Sequence, residues 1–232
     1  MVRLITFDLD DTLWESGPTL RAAEAEQFAW LALHAPQLDH GAARYAQHRQ
    51  RLLQADDSIR DRPSEWRRRC LEAILLDTGY APEQAAALSE QAFLQFLQAR
   101  QRVNLHPQAL PVLRALGARY PLGVLTNGNA DIRRIGIAEH FQFAFNAEAF
   151  GVGKPNPRIF HAALAAAGVD AAHSVHIGDH PLDDITGAQR AGIRAVWFNP
   201  RAQQWQGQGQ PDAEIRCLSE LPDVIARWTN AH

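Results

Sequence analysis

The chain has 232 residues, a formal net charge of -3 at pH 7 and a hydrophobic content of 46%. This slightly acidic balance argues against nucleic acid or a membrane surface as the main partner, and no apolar run is long enough to cross a bilayer. The N-terminus lacks the pattern of a secretory signal, and the isolated thiols of Cys70 and Cys217 suggest a reducing compartment rather than a disulfide framework. We therefore expect a cytoplasmic protein that is a monomer or a homodimer.

The first predicted element is a strand over Val2–Phe7 that ends on two carboxylates. Asp8 follows the strand directly, and Asp10 comes two residues later. Ligands bind at strand ends in open α/β sheets, and neighbouring carboxylates repel each other unless a cation lies between them. The pattern therefore predicts a divalent metal site. The alternative is an Asp-rich turn after an N-terminal strand.

The stretch of residues 16–104 contains no convincing strand and is predicted to be an inserted helical domain. Prolines and glycines separate its helical patterns, and four helices with short connections are typical of a small antiparallel bundle. The predicted helices are Pro18–His34, Ala42–Asp56, Pro63–Thr78 and Pro82–Arg102. Residues 1–15 and 105–232 would then form a single α/β domain around this insertion.

The rest of the chain alternates between short apolar strands and helices, which predicts a Rossmann-like, doubly wound parallel sheet with helices on both faces. The further strands are predicted at Leu122–Thr126, Phe143–Asn146, Ser174–Ile177 and Ala195–Phe198. The helices are predicted at Gln108–Arg119, Ala130–His140, Arg158–Ala167, Asp184–Ala191 and Leu221–Thr229. A polar, Gly-rich segment, Gln203–Gln210, is expected to be a mobile surface loop.

A hydroxyl and a glycine turn end the second predicted strand. The Thr126 side chain and the backbone amides of Asn127 and Gly128 are suited to binding phosphoryl oxygens. By itself Thr-Asn-Gly is also an ordinary turn sequence, so this motif needs the support of the others.

Lysine occurs once in the sequence, although the chain has 23 basic residues. This residue, Lys154, lies in a stiff loop with Pro155 and Pro157, just before a predicted helix. A compact ammonium in a chain that otherwise uses arginine suggests a binding role for an anion or for the nearby carboxylates. A solvated loop lysine is the alternative.

The fourth predicted strand also ends in acidic residues. Asp179 follows it directly and is predicted to complete a metal site with Asp8 and Asp10. Asp184 begins the next predicted helix, where N-capping is a real alternative to a role in the site. Asp183 is expected to be exposed.

The order Asp-x-Asp-x-Thr, Thr-Asn-Gly, Lys-Pro and Gly-Asp-x-x-x-x-Asp resembles the haloacid dehalogenase (HAD) superfamily of phosphohydrolases. The helical insertion resembles the first of that superfamily's cap types. Residues around Asp8–Trp14, Leu125–Ala130 and Gly187–Trp197 resemble bacterial phosphatases acting on flavin mononucleotide and on 5-amino-6-(5-phosphoribitylamino)uracil. The departure is His180-Pro181, where many relatives have a small polar residue.

The resemblance implies a Mg²⁺-dependent phosphatase of a small phosphorylated metabolite. Asp8 would be the nucleophile, and Asp10 the acid and base. Mg²⁺ would be bound by the Asp8 carboxylate, the Asp10 backbone carbonyl and Asp179. Phosphoryl oxygens would contact Thr126, Asn127, Gly128 and Lys154. Thr12 and Asp184 would not contact the substrate; Asp184 would orient Lys154 or a metal-bound water.

Other activities on the same fold remain open. A haloacid dehalogenase also uses the first Asp as nucleophile but needs neither a metal nor a second acid, and a phosphomutase keeps all four motifs. A phosphonate-cleaving relative needs a cap lysine, which residues 16–104 lack. A non-catalytic binding protein is the alternative of another class. Trp14, directly after the first motif, could either flank a substrate ring or pack in the core.

Overall fold

The computed structural model describes residues 1–207 and 209–230. The chain divides into two compact units: a core unit of residues 1–15 with the chain from 104 onwards, and a helical unit of residues 16–103. Asn104 therefore groups with the core unit rather than with the insertion.

The core unit contains a six-stranded parallel sheet in the order β3-β2-β1-β4-β5-β6. This arrangement confirms the predicted doubly wound fold. The strands are β1 Leu4–Phe7, β2 Leu122–Thr126, β3 Phe143–Asn146, β4 Ser174–Gly178, β5 Arg194–Phe198 and β6 Ala213–Ile215. The sequence did not predict β6, because three residues with a central glutamate are too short to form a hydrophobic pattern.

The central strand of the sheet is β1, whose four residues are all buried. It is paired with β2 on one side and with β4 on the other, and Phe7 lies opposite Val124 and Ile177. Parallel strands point their carboxyl ends to one edge of the sheet, where the strand order changes direction. The residues that follow β1, β2 and β4 are therefore brought together although they are distant in sequence.

The helices of the core unit cover the sheet and close its hydrophobic core. They are α5 Ala109–Gly117, α6 Ile132–Ile135, α7 Ala147–Phe150, α8 Pro157–Ala167, α9 Gly187–Arg190 and α10 Leu221–Asn230. Helix α8 begins at a proline in its first turn, and Asn156 caps it by accepting a hydrogen bond from the amide of Arg158. Its inner face buries Ile159 and Phe160 completely, each contributing about 1.5–3 kcal/mol. The loop that carries Lys154 thus precedes a firmly packed helix.

Two predicted helices of the core unit are broken in the structure. The predicted helix at 130–140 consists of the short α6, which ends at Gly136 with a φ of 87°, and a 3-10 turn at Ala138–His140. The predicted helix at 184–191 is a π-helical turn over Pro181–Thr186 followed by α9. A π turn of this kind is rare and is often found at functional sites.

The helical unit consists of α1 Ser16–His34, α2 Gly41–Ala55, α3 Pro63–Asp77 and α4 Pro82–Ala99. A row of side chains four residues apart on α1, from Thr19 through Ala23 and Gln27 to Leu31, is buried. The guanidinium of Arg67 lies 3.4 Å from the centre of the Phe96 ring inside this bundle. The unit therefore has its own core.

Within the described part of the chain, no helix combines the length and hydropathy needed to cross a membrane. The predicted loop Gln203–Gln210 includes Gln208, which lies outside the described residues. In the rest of this loop, Trp205 packs edge-on against Trp197, with ring centres 5.0 Å apart, and donates a hydrogen bond to the carbonyl of Gly209.

Candidate active site

Asp8 lies at the end of the central strand and is only 6% exposed. Its Oδ1 accepts a hydrogen bond from Lys154 Nζ at 2.6 Å, and its Oδ2 accepts one from the Thr12 hydroxyl at 3.3 Å. The chain turns sharply just beyond Asp8, because Asp11 adopts a left-handed backbone with a φ of 61°. This turn brings Thr12 back toward the strand end, so that both oxygens of Asp8 are contacted.

Lys154 is buried between two carboxylates, not solvated. Its Nζ lies 2.6 Å from Asp8 Oδ1 and 2.6 Å from Asp184 Oδ1. The side chain of Asn127 contacts the Lys154 backbone twice, accepting from its amide and donating to its carbonyl, each at 2.8 Å. This paired contact fixes the lysine loop against the end of β2.

Asp184 is the centre of a buried hydrogen-bond network. Besides Lys154, its carboxylate accepts from the backbone amide of His180 at 2.9 Å and lies 3.1 Å from His176 Nε2. Because an ionised carboxylate only accepts, His176 Nε2 carries the hydrogen, and Nδ1 accepts from the Thr6 hydroxyl 2.9 Å away. Asp184 therefore is not a helix cap but a buried partner of Lys154.

His176 and Thr6 were not among the site residues predicted from the sequence. Both are almost fully buried and lie on neighbouring strands, opposite each other in the register of β1 and β4. The available signal was the polar His176 between the buried apolar residues Val175 and Ile177, two residues before Gly178. This placement makes a hydrogen-bonding role for the imidazole necessary, since a buried polar group without a partner is costly.

The electrostatics of the site follow from burial and from the close packing of its acids. Burial, partly offset by Lys154 and reinforced by Asp184, raises the pKa of Asp8 to about 7. Burial and repulsion from Asp184 and Asp8 raise the pKa of Asp179 to about 9. Burial would also raise the pKa of Asp184, but Lys154 and His176 outweigh it and hold that pKa far below its usual range. The pKa of Lys154 is raised, because its two carboxylates outweigh the effect of burial.

A cation between the acids would relieve this repulsion. Carboxylate oxygens of Asp8, Asp179 and Asp184 lie within 4.8 Å of one another. The buried Lys154 ammonium contacts two of these three carboxylates, those of Asp8 and Asp184. Oxygen ligands at this spacing are the donor set that hard divalent cations prefer. The residues present therefore fit a Mg²⁺ ion. Asp184 joins the cluster in addition to the predicted Asp8 and Asp179.

The Asp10 side chain is not part of this acidic cluster. Its Oδ1 accepts a hydrogen bond at 3.0 Å from the indole Nε1 of Trp14. Trp14 is fully buried, which favours packing in the core over contact with a substrate ring. A buried indole offers no ring face to a ligand.

The Thr-Asn-Gly turn after β2 lies beside Lys154. Thr126 is buried, and its hydroxyl oxygen accepts from the Gly128 amide at 3.1 Å. A phosphoryl oxygen that used this amide, as predicted, would have to replace that contact. Asn127 contributes its side chain to the lysine loop and lies 3.4 Å from Asp183 Oδ2, so Asp183 is partly buried rather than exposed.

The loop after β4 is shaped by His180, which departs from the family pattern, and by Gly178 and Trp197. His180 Nδ1 accepts from the amide of Asp183 at 3.0 Å and so caps the π-helical turn. Gly178 is required at the strand end, because a Cβ there would lie 2.2 Å from Asp184 Cγ. The indole of Trp197 donates to the backbone carbonyl of Asp179 at 2.8 Å. Asp179 and Asp184 are thereby oriented from both sides.

Comparisons with known proteins agree with the order of the motifs. A family model for haloacid dehalogenase-like hydrolases matches residues 2–192. The 5-amino-6-(5-phospho-D-ribitylamino)uracil phosphatase YigB of Escherichia coli K12 is 31% identical over 229 residues, covering 97% of this chain and 96% of that protein.

Two solved structures extend the similarity to the whole fold. The 2-haloacid dehalogenase from Pseudomonas syringae pv. Tomato DC3000 has a TM-score of 0.93 and 48% identity, covering 98% of this chain and 100% of that one. The magnesium-bound HAD-hydrolase YfnB from Bacillus subtilis has a TM-score of 0.68 and 26% identity, covering 97% and 98%. The resemblance inferred from the motifs is confirmed: this chain belongs to the haloacid dehalogenase-like hydrolases, a family of enzymes.

Proposed function

We propose that the protein is a Mg²⁺-dependent phosphatase that forms an aspartyl-phosphate intermediate. The observation that carries the proposal is that the neighbouring carboxylates of Asp8 and Asp10 have different surroundings. Asp8 contacts Lys154, whereas Asp10 contacts an indole N–H. Two acids in different surroundings can serve as nucleophile and as proton donor, which is what cleavage of a phosphate ester requires.

In the first step an Asp8 oxygen attacks phosphorus, and the bond from phosphorus to the leaving oxygen breaks. Asp10 gives its proton to that oxygen, so the product leaves as an alcohol. Lys154 stays charged, contacts Asp8 at 2.6 Å and lowers the repulsion between this carboxylate and the incoming phosphate. The Thr126 hydroxyl lies at the neighbouring strand end, where it can contact a phosphoryl oxygen.

In the second step water attacks the phosphorus of the acyl phosphate. Asp10, now ionised, takes a proton from this water, the bond between phosphorus and the Asp8 oxygen breaks, and inorganic phosphate leaves. Asp8 is restored as a carboxylate. Positioning and charge stabilisation supply most of the rate gain in phosphoryl transfer, which suits a site built from buried, mutually hydrogen-bonded groups.

Asp8, Asp179 and the Asp10 backbone carbonyl are the residues that would bind Mg²⁺. When bound, the ion would neutralise negative charge on the phosphoryl group and between the carboxylates. The magnesium-bound structure of YfnB, a similar protein, supports this choice of ion.

The substrate is proposed to be a small phosphorylated metabolite, with flavin mononucleotide or another riboflavin-pathway phosphate as the first candidates. The similarity to YigB over nearly the full length of both chains supports this class. The helical unit, inserted directly after the first motif, is proposed to act as the cap that selects among substrates.

A haloacid dehalogenase is the second candidate, because the Pseudomonas syringae structure with that name is 48% identical. Dehalogenation also begins with attack by the first Asp, but a halide leaves as an anion and takes no proton. The chain would then have no chemical use for Asp10 or for a metal between Asp8 and Asp179. This argument favours phosphate ester hydrolysis.

One experiment separates these functions. Phosphate release from a panel of sugar phosphates, nucleotides, flavin mononucleotide and p-nitrophenyl phosphate is measured beside halide release from 2-haloacids, for the native enzyme and for Asp8→Asn. We expect phosphate release that Asp8→Asn abolishes, because an amide cannot form the acyl phosphate. Halide release without phosphate release would establish the second candidate. The absence of both would indicate a binding protein.

A further inference from the structure

The hydrogen bond between Trp14 and Asp10 joins a core residue to the proposed acid of the site. The Trp14 Nε1 hydrogen is directed at Asp10 Oδ1, with a distance of 3.0 Å between the heavy atoms. The backbones of the two residues also form a β-bridge, and Trp14 forms a second bridge with Leu105. The indole is 0% exposed. The bridges hold the Trp14 backbone beside Asp10, and the indole cannot turn away without losing its packing.

An aspartate outside a regular strand needs such a contact if its carboxyl is to keep one orientation. The second side-chain torsion of Asp is broad, so the two oxygens exchange places easily when nothing holds them. A general acid, however, must present its proton within hydrogen-bond distance of the leaving oxygen. Rigid placement by a neighbour is the usual means of achieving this.

The indole also distinguishes the two oxygens chemically. An indole N–H donates and never accepts, so the oxygen that it contacts must offer a lone pair. The carbonyl oxygen of a protonated carboxyl is a better acceptor than its hydroxyl oxygen, so in protonated Asp10 this contact favours Oδ1 as the carbonyl oxygen and the proton on Oδ2. The hydrogen bond from Trp14 thus favours both one orientation of the carboxyl and one oxygen from which the proton leaves.

We propose that Trp14 is a positioning residue that orients Asp10 so that the proton on Oδ2 faces the leaving group. This inference rests on the proposed phosphatase function, in which Asp10 is the acid. The competing explanation is that Trp14 only packs in the core and that Asp10 happens to satisfy its N–H. The two explanations predict different kinetics, because a positioning role affects only substrates whose leaving group needs a proton.

The test compares Trp14→Phe with the native enzyme on two kinds of substrate. p-Nitrophenyl phosphate has a leaving group that departs readily as an anion, whereas an alkyl phosphate needs protonation. The ratio kcat/KM reports the first irreversible step, in which the leaving group departs. We expect kcat/KM to fall about tenfold for the alkyl phosphate, which is part of the roughly 100- to 10,000-fold that a general acid contributes, and less than about threefold for p-nitrophenyl phosphate.

Leu13→Val is the matched control, since Leu13 is buried in the same turn and donates no side-chain hydrogen bond. This variant should change kcat/KM by the same factor for both substrates. A double-mutant cycle combines Trp14→Phe with Asp10→Asn. In the Asp10→Asn background, Trp14→Phe should cause no further loss of kcat/KM for the alkyl phosphate. If Trp14→Phe does not fold, 3-benzothienylalanine at position 14 keeps the ring shape and replaces the N–H by sulfur.

The outcomes separate the two levels of the argument. Equal losses for both substrates in the Trp14 variant, together with a leaving-group-dependent loss in Asp10→Asn, would overturn the positioning role and leave the phosphatase proposal intact. If Asp10→Asn itself shows no dependence on the leaving group, the acid assignment fails, and the inference about Trp14 fails with it. A selective loss in both variants supports the inference.

Discussion

Replacing Lys154 tests the electrostatic design of the site most directly. The ammonium is 4% exposed and lies 2.6 Å from a carboxylate oxygen of both Asp8 and Asp184. Its backbone is fixed on both sides by Asn127. A guanidinium is longer, planar and fork-shaped, so Lys154→Arg would keep the charge but could not fit the same point between the two oxygens.

The size of the effect follows from these contacts. For Lys154→Arg we expect kcat/KM to fall at least about tenfold, which corresponds to roughly 1.4 kcal/mol of transition-state stabilisation. Lys154→Met removes the charge and leaves Asp8 and Asp184 buried with no cation from this side chain. The loss of one partner from a buried ion pair lowers the free energy of unfolding by about 3–5 kcal/mol. Lys154→Met should therefore lose both activity and stability.

The assay combines phosphate release at varied substrate concentrations with urea unfolding of each variant. Arg60→Lys is the matched control, because it makes the reverse exchange in an exposed ion pair with Asp57, 2.8 Å long. Exposed pairs contribute little, so this variant should match the native enzyme in both measurements. Native-like turnover by Lys154→Arg would refute the reasoning: the single lysine of the chain would then be an accident of composition.

The remaining predictions concern the metal and the strand end. Activity should vanish in excess chelator and return with Mg²⁺, while Ca²⁺ should inhibit because its longer bonds misplace the nucleophile. Calorimetric titration should show Mg²⁺ binding that Asp179→Asn weakens. Full activity in excess chelator would contradict the proposed metal site. Gly178→Ala should lower the free energy of unfolding by about 1–3 kcal/mol and reduce kcat/KM, since its Cβ would overlap Asp184. Gly117→Ala is the control, because a Cβ there would make only an ordinary contact with Leu122 at 3.5 Å.

Much of this protein could be predicted from short stretches of its sequence. Strand β1 and the acids after it were recognisable because a parallel strand buried on both faces is a continuous apolar run that ends abruptly in polar residues. The alternation of strands and helices predicted the parallel sheet, and the loss of that alternation at residue 16 marked the helical insertion. These features depend on neighbouring residues, so the order of residue types is sufficient to reveal them.

Boundaries and irregular turns were predicted less well. Helix α6 ends early because Gly136 leaves the helical conformation, and the chain after His180 forms a π turn because the imidazole caps it. Strand β6 exists because β5 offers it an edge with which to pair. The first two features are local and depend on backbone geometry that residue types did not reveal, whereas the third is a tertiary contact that outweighs a weak local preference.

The site itself depended on the tertiary structure. Asp8 and Lys154 are 146 positions apart, and nothing local to either residue records that they are in contact. His176 was given no role from the sequence, and Trp14 was left open between a substrate contact and core packing, yet each directs a polar atom at an acid of the site. Residue types and their spacing indicated Asp8, Lys154 and Asp179, but not His176. Their pairing was decided by the sheet, because burial forces every polar group to find a partner and the strand order determines which partners are near.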